Sequence, residues 1–340
     1  MRDGRRLIAN IGSLLAGAPS ARERLVAAGA TVVEARGGTE EELIASCSEA
    51  EVVMGLGQFP FTERVFEGLP RLQLLMQCTV GYDRVDVDAA TRRGVLVANS
   101  PYFCIEEVSD HAAMLLLACA RKLPHQVHAF HRHGWTRPPA VEAMGSVQRM
   151  KGQTLGFVGF GKIARLTAEK LAGFRMHYLA HDPYLTADAV RPWNVELVPL
   201  DELCRRSDFI SMHALLNPGT RRMFGAAQFQ AMKPTAYFVN TSRGGTVDET
   251  AMIQALREGR IAGAALDVLE QEPPHPDNPL LTLPNVLLTS HTAGHGDGSM
   301  ADNRQQSVDQ VLRFLGGQFP TALVNPQVKT HPRAPGLQDG

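Results

Sequence analysis

Three stretches of this chain carry side chains suited to moving a proton beside a hydride, and each follows a short apolar run that reads as a β-strand. After Ala236–Asn240 comes Thr241-Ser242-Arg243-Gly244-Gly245, which puts a guanidinium on a glycine-flanked turn. Such a group holds a carboxylate through two parallel hydrogen bonds and polarises a carbonyl beside it. After Gly263–Asp267 comes Val268-Leu269-Glu270-Gln271-Glu272-Pro273-Pro274, with two candidate carboxylates, Glu270 and Glu272. After Val286–Thr289 comes Ser290-His291-Thr292-Ala293-Gly294-His295, with two candidate imidazoles, His291 and His295. Imidazole both gives and takes a proton near neutrality, and a carboxylate beside it favours the imidazolium. Taken singly, each is an ordinary turn or surface residue. Together, at strand ends where doubly wound sheets bind ligands, they suit reversible hydride transfer at the carbon next to a carboxylate. The residues alone leave the choice within each pair open. Asp267, at its own strand end, stands where it can meet a nicotinamide amide.

A cofactor must supply the hydride, and one stretch is built to hold it. Thr154–Val158 enters the turn Gly159-Phe160-Gly161-Lys162-Ile163-Ala164, and a helical pattern follows. Gly159 suits a tight turn, Gly161 leaves room for a pyrophosphate, and the small Ala164 lets helix and strand pack closely. The helix N-terminus offers N–H groups and a positive dipole end to phosphates. Asp182 stands about twenty residues on, after a second apolar run, where an acid accepts ribose hydroxyls and repels a 2′-phosphate. These features predict NAD as cofactor.

With 340 residues the chain is long enough for two domains with full cores. Its net charge of −1 gives no electrostatic reason to expect nucleic acid or an anionic membrane. Five cysteines (Cys47, Cys78, Cys104, Cys119 and Cys204) are scattered and odd in number. They read as free thiols of a reducing compartment, the cytoplasm, and suggest no metal site. His125, His128, His131 and His133 lie among Arg and Pro residues and read as a loop rather than a zinc site. No apolar run is long enough to span a bilayer. Arg5-Arg6 before Leu7–Ile11 faintly resembles a leader, but Asn10, Gly12 and Ser13 interrupt it, and a first strand fits better.

Residues 7–100 alternate between strand and helix patterns. Ser20 is expected to cap one helix and Gly29 to end it, and Thr39 with Glu42 forms a capping box for another. Val108, Ala112, Leu115, Leu116 and Cys119 recur at helical spacing, so a long helix joins the first unit to the second. Residues 124–150, rich in His, Pro, Gly and Arg around Trp135, read as a long irregular excursion that wraps a partner subunit. From the glycine turn to about His295, strands and helices alternate again. The fold class is α/β, with two doubly wound parallel sheets. A last helix, about Ser299–Leu315, returns to the first unit, and the Pro/Gly-rich tail 329–340 reads as disordered.

The blocks Val80-Gly81-Tyr82-Asp83-Arg84-Val85-Asp86, the glycine turn with Asp182, Asn240–Gly244, Gly263–Val268 with Glu272-Pro273, and Thr289–Gly294 together resemble the NAD-dependent D-isomer-specific 2-hydroxyacid dehydrogenases over about residues 50–325. The resemblance implies reversible hydride transfer between NAD(H) and a small 2-oxo acid or D-2-hydroxy acid. It assigns substrate binding to Arg243, acid–base work to His291 and the histidine's partner to Glu272, which resolves both pairs. It implies cofactor contacts from Gly159, Gly161, Lys162, Ile163, Asp182, His213, Thr241, Asp267 and Gly294. Val80 and Gly81 would offer backbone N–H groups to the substrate carboxylate, and Phe103 would face the substrate. The implied architecture is a Rossmann cofactor domain, 104–296, inserted into a flavodoxin-like substrate domain made of 1–103 and 297–328. Hinge closure and a homodimer through residues 106–145 are also implied, with no membrane or nucleic-acid partner.

Several positions depart from the family pattern. Ala164 stands for the commonest third glycine, Leu215-Leu216 for a Pro-Leu pair after His213, and Ser290 for a proline before His291. Glu272 argues against a formate dehydrogenase, and Val80 lacks the lysine of phosphite dehydrogenases. Asn99–Asp110 most resembles the branch of the C-terminal-binding-protein corepressors and their bacterial relatives. That branch raises a second expectation, an NAD(H)-sensing interaction protein with vestigial catalysis, which the intact Arg243, Glu272 and His291 weigh against.

Overall fold

A computed structural model describes residues 6–12 and 14–339. The chain divides into two compact units, one running to Cys104 and resuming at Gly296, the other Ile105–His295. Each is described by itself.

The first unit alternates strands β1 (Arg6–Ile11), β2 (Ala30–Ala35), β3 (Val52–Gly55), β4 (Leu74–Gln77) and β5 (Leu96–Asn99) with helices α1 (Pro19–Ala27), α2 (Glu40–Cys47), α3 (Glu63–Gly68) and α4 (Val87–Arg92). The sheet order is β2-β1-β3-β4-β5, and every pairing is parallel. This is the flavodoxin-like order. The strands β3, β4 and β5 are buried throughout, which is why they read as continuous apolar runs rather than alternating ones. The expected box at Thr39 forms: its side chain accepts from the Glu42 N–H, and Glu42 accepts from the Thr39 N–H. Ser20 does not cap α1. The helix starts one residue earlier, at Pro19, whose fixed φ and missing N–H suit the first turn.

The second unit opens with α5 (Ile105–Ala120), α6 (Leu123–His133) and α7 (Arg137–Met144). The irregular excursion expected over 124–150 is therefore largely helical. Its prolines stand in the first turns of α6 and α7, where no hydrogen bond is lost, so their abundance misled. Strands β6 (Thr154–Val158), β7 (His177–His181), β8 (Val195–Leu197), β9 (Phe209–Met212), β10 (Tyr237–Asn240), β11 (Gly263–Leu266) and β12 (Val286–Leu288) follow. Helices α8 (Lys162–Leu171), α9 (Ala187–Val190), α10 (Leu200–Arg206), α11 (Ala226–Ala231) and α12 (Glu249–Arg257) lie between them. The parallel order β12-β11-β10-β9-β6-β7-β8 reverses direction beside β6, so the glycine turn leaves the sheet at its topological switch point. Apolar clusters cover both faces, one centred on Phe224, Phe229 and Phe238, the other on Phe157, Phe160 and Leu115.

The last helix, α13 (Ser299–Leu315), belongs to the first unit and buries Val308, Val311 and Phe314 against its sheet. Each contributes about 1.5–3 kcal/mol relative to exposure, enough to hold a returning helix. The chain then lies along the edge of β5: Val324 N–H donates to Val97 O (2.7 Å), and the buried Asn325 accepts from Val97 N–H (2.8 Å). The tail is described to Asp339. Phe319 N–H donates to Gln338 O (3.0 Å), and Leu337 packs on the core, an apolar residue that the Pro/Gly composition concealed. Arg5, Ser13 and Gly340, part of the leader and tail expectations, lie outside the described residues. No helix among the described residues is long and apolar enough to cross a membrane.

Candidate active site

In the second unit the residues singled out from sequence line up along one sheet edge. The glycine turn leaves β6, His213 follows β9, Thr241 and Arg243 follow β10, Asp267 and Glu272 follow β11, and His291 follows β12. Four strand spacings separate the ends of β6 and β12, about 19 Å. A single ligand reaching both must be elongated, with its phosphates at one end and its reacting ring at the other.

At the β6 end, Gly159 has φ +83°, and a Cβ there would stand 2.8 Å from the Ala214 backbone nitrogen. Both conformation and space demand glycine. A Cβ on Gly161 would meet nothing within 4 Å, so the backbone is open to a close approach. Gly161 caps α8 with no side chain on the helix N–H groups, and Lys162 and Ile163 form its first turn. Asp182 accepts from Phe160 N–H (3.0 Å) and Tyr184 N–H (3.1 Å), tying the end of β7 to the turn. His213 shares a hydrogen with the Ser211 hydroxyl (2.8 Å), and burial pushes its pKa down to about 4. The imidazole is therefore neutral at pH 7. Thr241 Oγ1 is buried with no hydrogen-bond partner among the described residues. An open glycine turn, an uncapped helix start and an orphaned hydroxyl are what a bound dinucleotide satisfies, so these residues fit NAD(P).

At the other end the Arg, Glu and His are built into one cluster. Asn240 accepts from Ser242 N–H and Oγ–H (both 2.9 Å) and donates to Arg243 O (3.1 Å), which fixes the turn that carries the guanidinium. A Cβ on Gly244 would lie 2.0 Å from the Leu269 carbonyl carbon, so only glycine lets this turn press on the loop that carries Glu272. The two candidate carboxylates separate clearly. Glu270 is held by Arg222 Nη2 (2.6 Å) and Nε (3.1 Å). Glu272 Oε2 lies 2.6 Å from His291 Nδ1, and its Oε1 accepts from Leu269 N–H (3.0 Å). Burial works to raise the Glu272 pKa. The His291 hydrogen bond, the Leu269 N–H and the charges of His291 and Arg243 outweigh it and hold the carboxyl below its ordinary value. With Nδ1 engaged, Nε2 is the nitrogen His291 has left for a substrate. His295 is exposed, and its N–H donates to Thr292 O (2.9 Å).

His291 has φ +54°, an uncommon conformation for a residue with a Cβ. Asp267 supports it: its carbonyl accepts from His291 N–H (2.8 Å), and its carboxylate accepts from Thr292 and Ala293 N–H (2.9 Å each). Expected to face a nicotinamide amide, Asp267 is here mostly spent on this loop, where Gly294 follows. Thr289 Oγ–H also donates to Asp267 (2.6 Å), and His111 of α5 reaches Thr289 Oγ1 (2.9 Å). Sequence reasoning missed Asn240, Arg222, Thr289 and His111 as supports. The last left a signal, a histidine on the apolar stripe of a long helix.

The remaining named residues lie in the first unit. The Val80 carbonyl accepts from Asn99 Nδ2 and the Gly81 carbonyl from Thr79 Oγ–H (2.8 Å each). Their N–H groups donate to nothing among the described residues. Asn303 of α13 braces the same loop through Cys78 O (2.8 Å). Phe103 is half-buried beyond β5.

A dinucleotide edge that ends in an Arg–Glu–His cluster defines a nicotinamide-dependent oxidoreductase. Residues 113–293 match the family model of the D-isomer specific 2-hydroxyacid dehydrogenase NAD binding domain. The chain is 38% identical over 300 residues to a glyoxylate reductase of Korarchaeum cryptofilum, covering 88% of this chain and 90% of that protein. It is 36% identical over 292 residues to a D-3-phosphoglycerate dehydrogenase of Methanocaldococcus jannaschii, covering 86% of this chain but 55% of that protein. Its fold is similar to an NADPH-dependent glyoxylate/hydroxypyruvate reductase of Sinorhizobium meliloti solved with NADP and malonate, with TM-score 0.82, 27% identity and 99% of each chain covered. The chain belongs to the D-isomer specific 2-hydroxyacid dehydrogenase family. It is an NAD(P)-dependent oxidoreductase of the 2-oxo/2-hydroxy acid class, and the corepressor-like alternative is not favoured.

The lowered Glu272 pKa makes a pH-dependent prediction. A carboxyl whose pKa falls on folding contributes stability above its unfolded value, and that contribution is lost as pH drops through the folded value. Glu272→Gln is therefore expected to destabilise the protein at pH 7, and the cost should fade as pH is taken below 4.5. Urea unfolding of both proteins across that range measures it. A cost independent of pH contradicts the ion pair.

Proposed function

We propose that this chain reduces a small 2-oxo acid to the D-2-hydroxy acid with NADH, and runs the reverse reaction with NAD+. The observation that carries the reading is the 2.6 Å contact of His291 Nδ1 with Glu272, made where the Arg243 charge is felt. Arg243 in the second unit holds the substrate carboxylate; in the first unit, Val80 and Gly81 carry N–H groups suited to a carboxylate, and Phe103 is a candidate substrate-facing side chain. His291 Nε2 gives the proton to the carbonyl oxygen and takes it back in oxidation. Glu272 keeps Nδ1 protonated and the ring oriented. The bound nicotinamide supplies or accepts the hydride. Gly159, Gly161, Lys162 and Ile163 hold the pyrophosphate and Asp182 the ribose, with His213, Thr241, Asp267 and Gly294 lining the cofactor cleft. Residues 104–296 form the NAD-binding domain, and 1–103 with 297–328 the substrate domain. Five buried free thiols support residence in the cytoplasm.

His291→Ala and Arg243→Ala are each expected to lower kcat/KM for 2-oxo acid reduction at least about 100-fold. NADH affinity, read by fluorescence, should stay within about threefold. Turnover near the wild-type rate in either variant removes that residue from its role.

Asp182 should repel a 2′-phosphate. NADH is expected to outperform NADPH in kcat/KM by at least about tenfold, and Asp182→Ala to narrow the gap. Equal use of the two by the wild type contradicts the assignment.

We also propose a homodimer through residues 106–145. Met114, Leu123, Val127, Phe130 and Val141 are about half exposed there, and Trp135 is 94% exposed. Clustered apolar exposure of this kind marks an interaction surface. Sedimentation should give a dimer at micromolar concentration and weaker association for Trp135→Ser; a monomeric wild type rules the dimer out.

A further inference from the structure

We propose that His111 and Thr289 are positioning residues that act through Asp267 to hold His291 in its left-handed turn. The inference rests on the reading of His291 as the acid–base group, and it adds two residues that neither touch substrate nor belong to the cluster.

The hydrogen bonds run in one direction. Asp267 is 2% exposed, and its carboxylate accepts from Thr292 N–H, Ala293 N–H and Thr289 Oγ–H. A threonine hydroxyl has one hydrogen. Thr289 spends it on Asp267 at 2.6 Å, so its 2.9 Å contact with His111 requires His111 Nε2 to carry the hydrogen and donate. The same nitrogen stands 3.5 Å from Asp267 Oδ1. His111 therefore orients the hydroxyl, and the hydroxyl anchors Asp267 Oδ1, the same oxygen that accepts from Thr292 N–H. Asp267 Oδ2 takes Ala293 N–H, and the Asp267 carbonyl takes His291 N–H.

The anchor is needed because the turn is costly. A positive φ at a residue with a Cβ persists only where surrounding structure over-determines it. At His291 that structure is Asp267, reached on both sides of the histidine's own peptide. The anchor comes from α5, which ties the loop to a buried helix rather than to another surface loop. Loosening it lets the imidazole wander from Glu272. Substrate binding through Arg243 is untouched, so the loss belongs to kcat rather than KM.

Thr289→Val removes the hydroxyl and keeps the shape; Thr289→Ser keeps the hydroxyl. With NADH saturating, Thr289→Val is expected to lower kcat and kcat/KM equally, about tenfold, with KM within twofold, and Thr289→Ser to restore kcat to within about threefold of wild type. His111→Leu should lower kcat in the same way, and the double variant should lose less than the product of the single losses, as coupled residues do. Wild-type kcat in Thr289→Val, a serine variant as slow as the valine, or independent losses in the double variant would each overturn the proposal. His291→Ala, run alongside, separates the two readings: if it alone keeps full turnover, the acid–base assignment has failed rather than the anchor.

Discussion

The short contact between His291 Nδ1 and Glu272 Oε2 is the constraint on which the rest of the site depends. It joins two loops that leave adjacent parallel strands, β11 and β12. Neither loop reaches that geometry by local propensity. Glu272 is placed because Gly244 lets the Arg243 turn press on residues 269–270, and because Arg222 draws Glu270 aside. His291 is placed because Asp267 holds a backbone conformation that a histidine does not favour alone. Water screens a half-exposed pair such as this, so its pH-dependent contribution to stability is modest. Its value is orientation: one nitrogen is fixed, so the other has a defined direction.

The scaffold makes such orientation possible through the buried strands β10 and β11, with the partly buried edge strand β12 paired to β11. Residues at the ends of paired parallel strands cannot slide without breaking ladder hydrogen bonds, so β10, β11 and β12 deliver their loops to fixed positions. The same sheet sets the division of labour. The glycine turn and the His291 loop lie four strand spacings apart along this edge, and between them lie the neutral His213 and the Thr241 hydroxyl, which has no hydrogen-bond partner among the described residues.

Much of this was legible in the sequence because it depends on local pattern. Apolar runs ending in Gly, Arg, Glu and His marked the strands and their functional ends, and Gly159 announced a turn that its +83° φ requires. What stayed hidden depends on distant partners. Nothing around Glu270 reveals that Arg222 holds it, and nothing around Asp267 shows that His111 stands behind it, 156 positions earlier in the chain. Composition misled at 124–150, where prolines start helices instead of breaking them. Propensity describes a segment by itself; the core decides whether the segment has something to pack against.

The most direct test of the central claim is a crystal structure with NAD+ and a non-reducible 2-oxo acid analogue. The account predicts that His291 keeps Nδ1 on Glu272 and donates from Nε2 to the analogue's 2-oxo oxygen, while Arg243 holds the carboxylate. A 2-oxo oxygen that faces another donor, with His291 turned from it, would contradict the account.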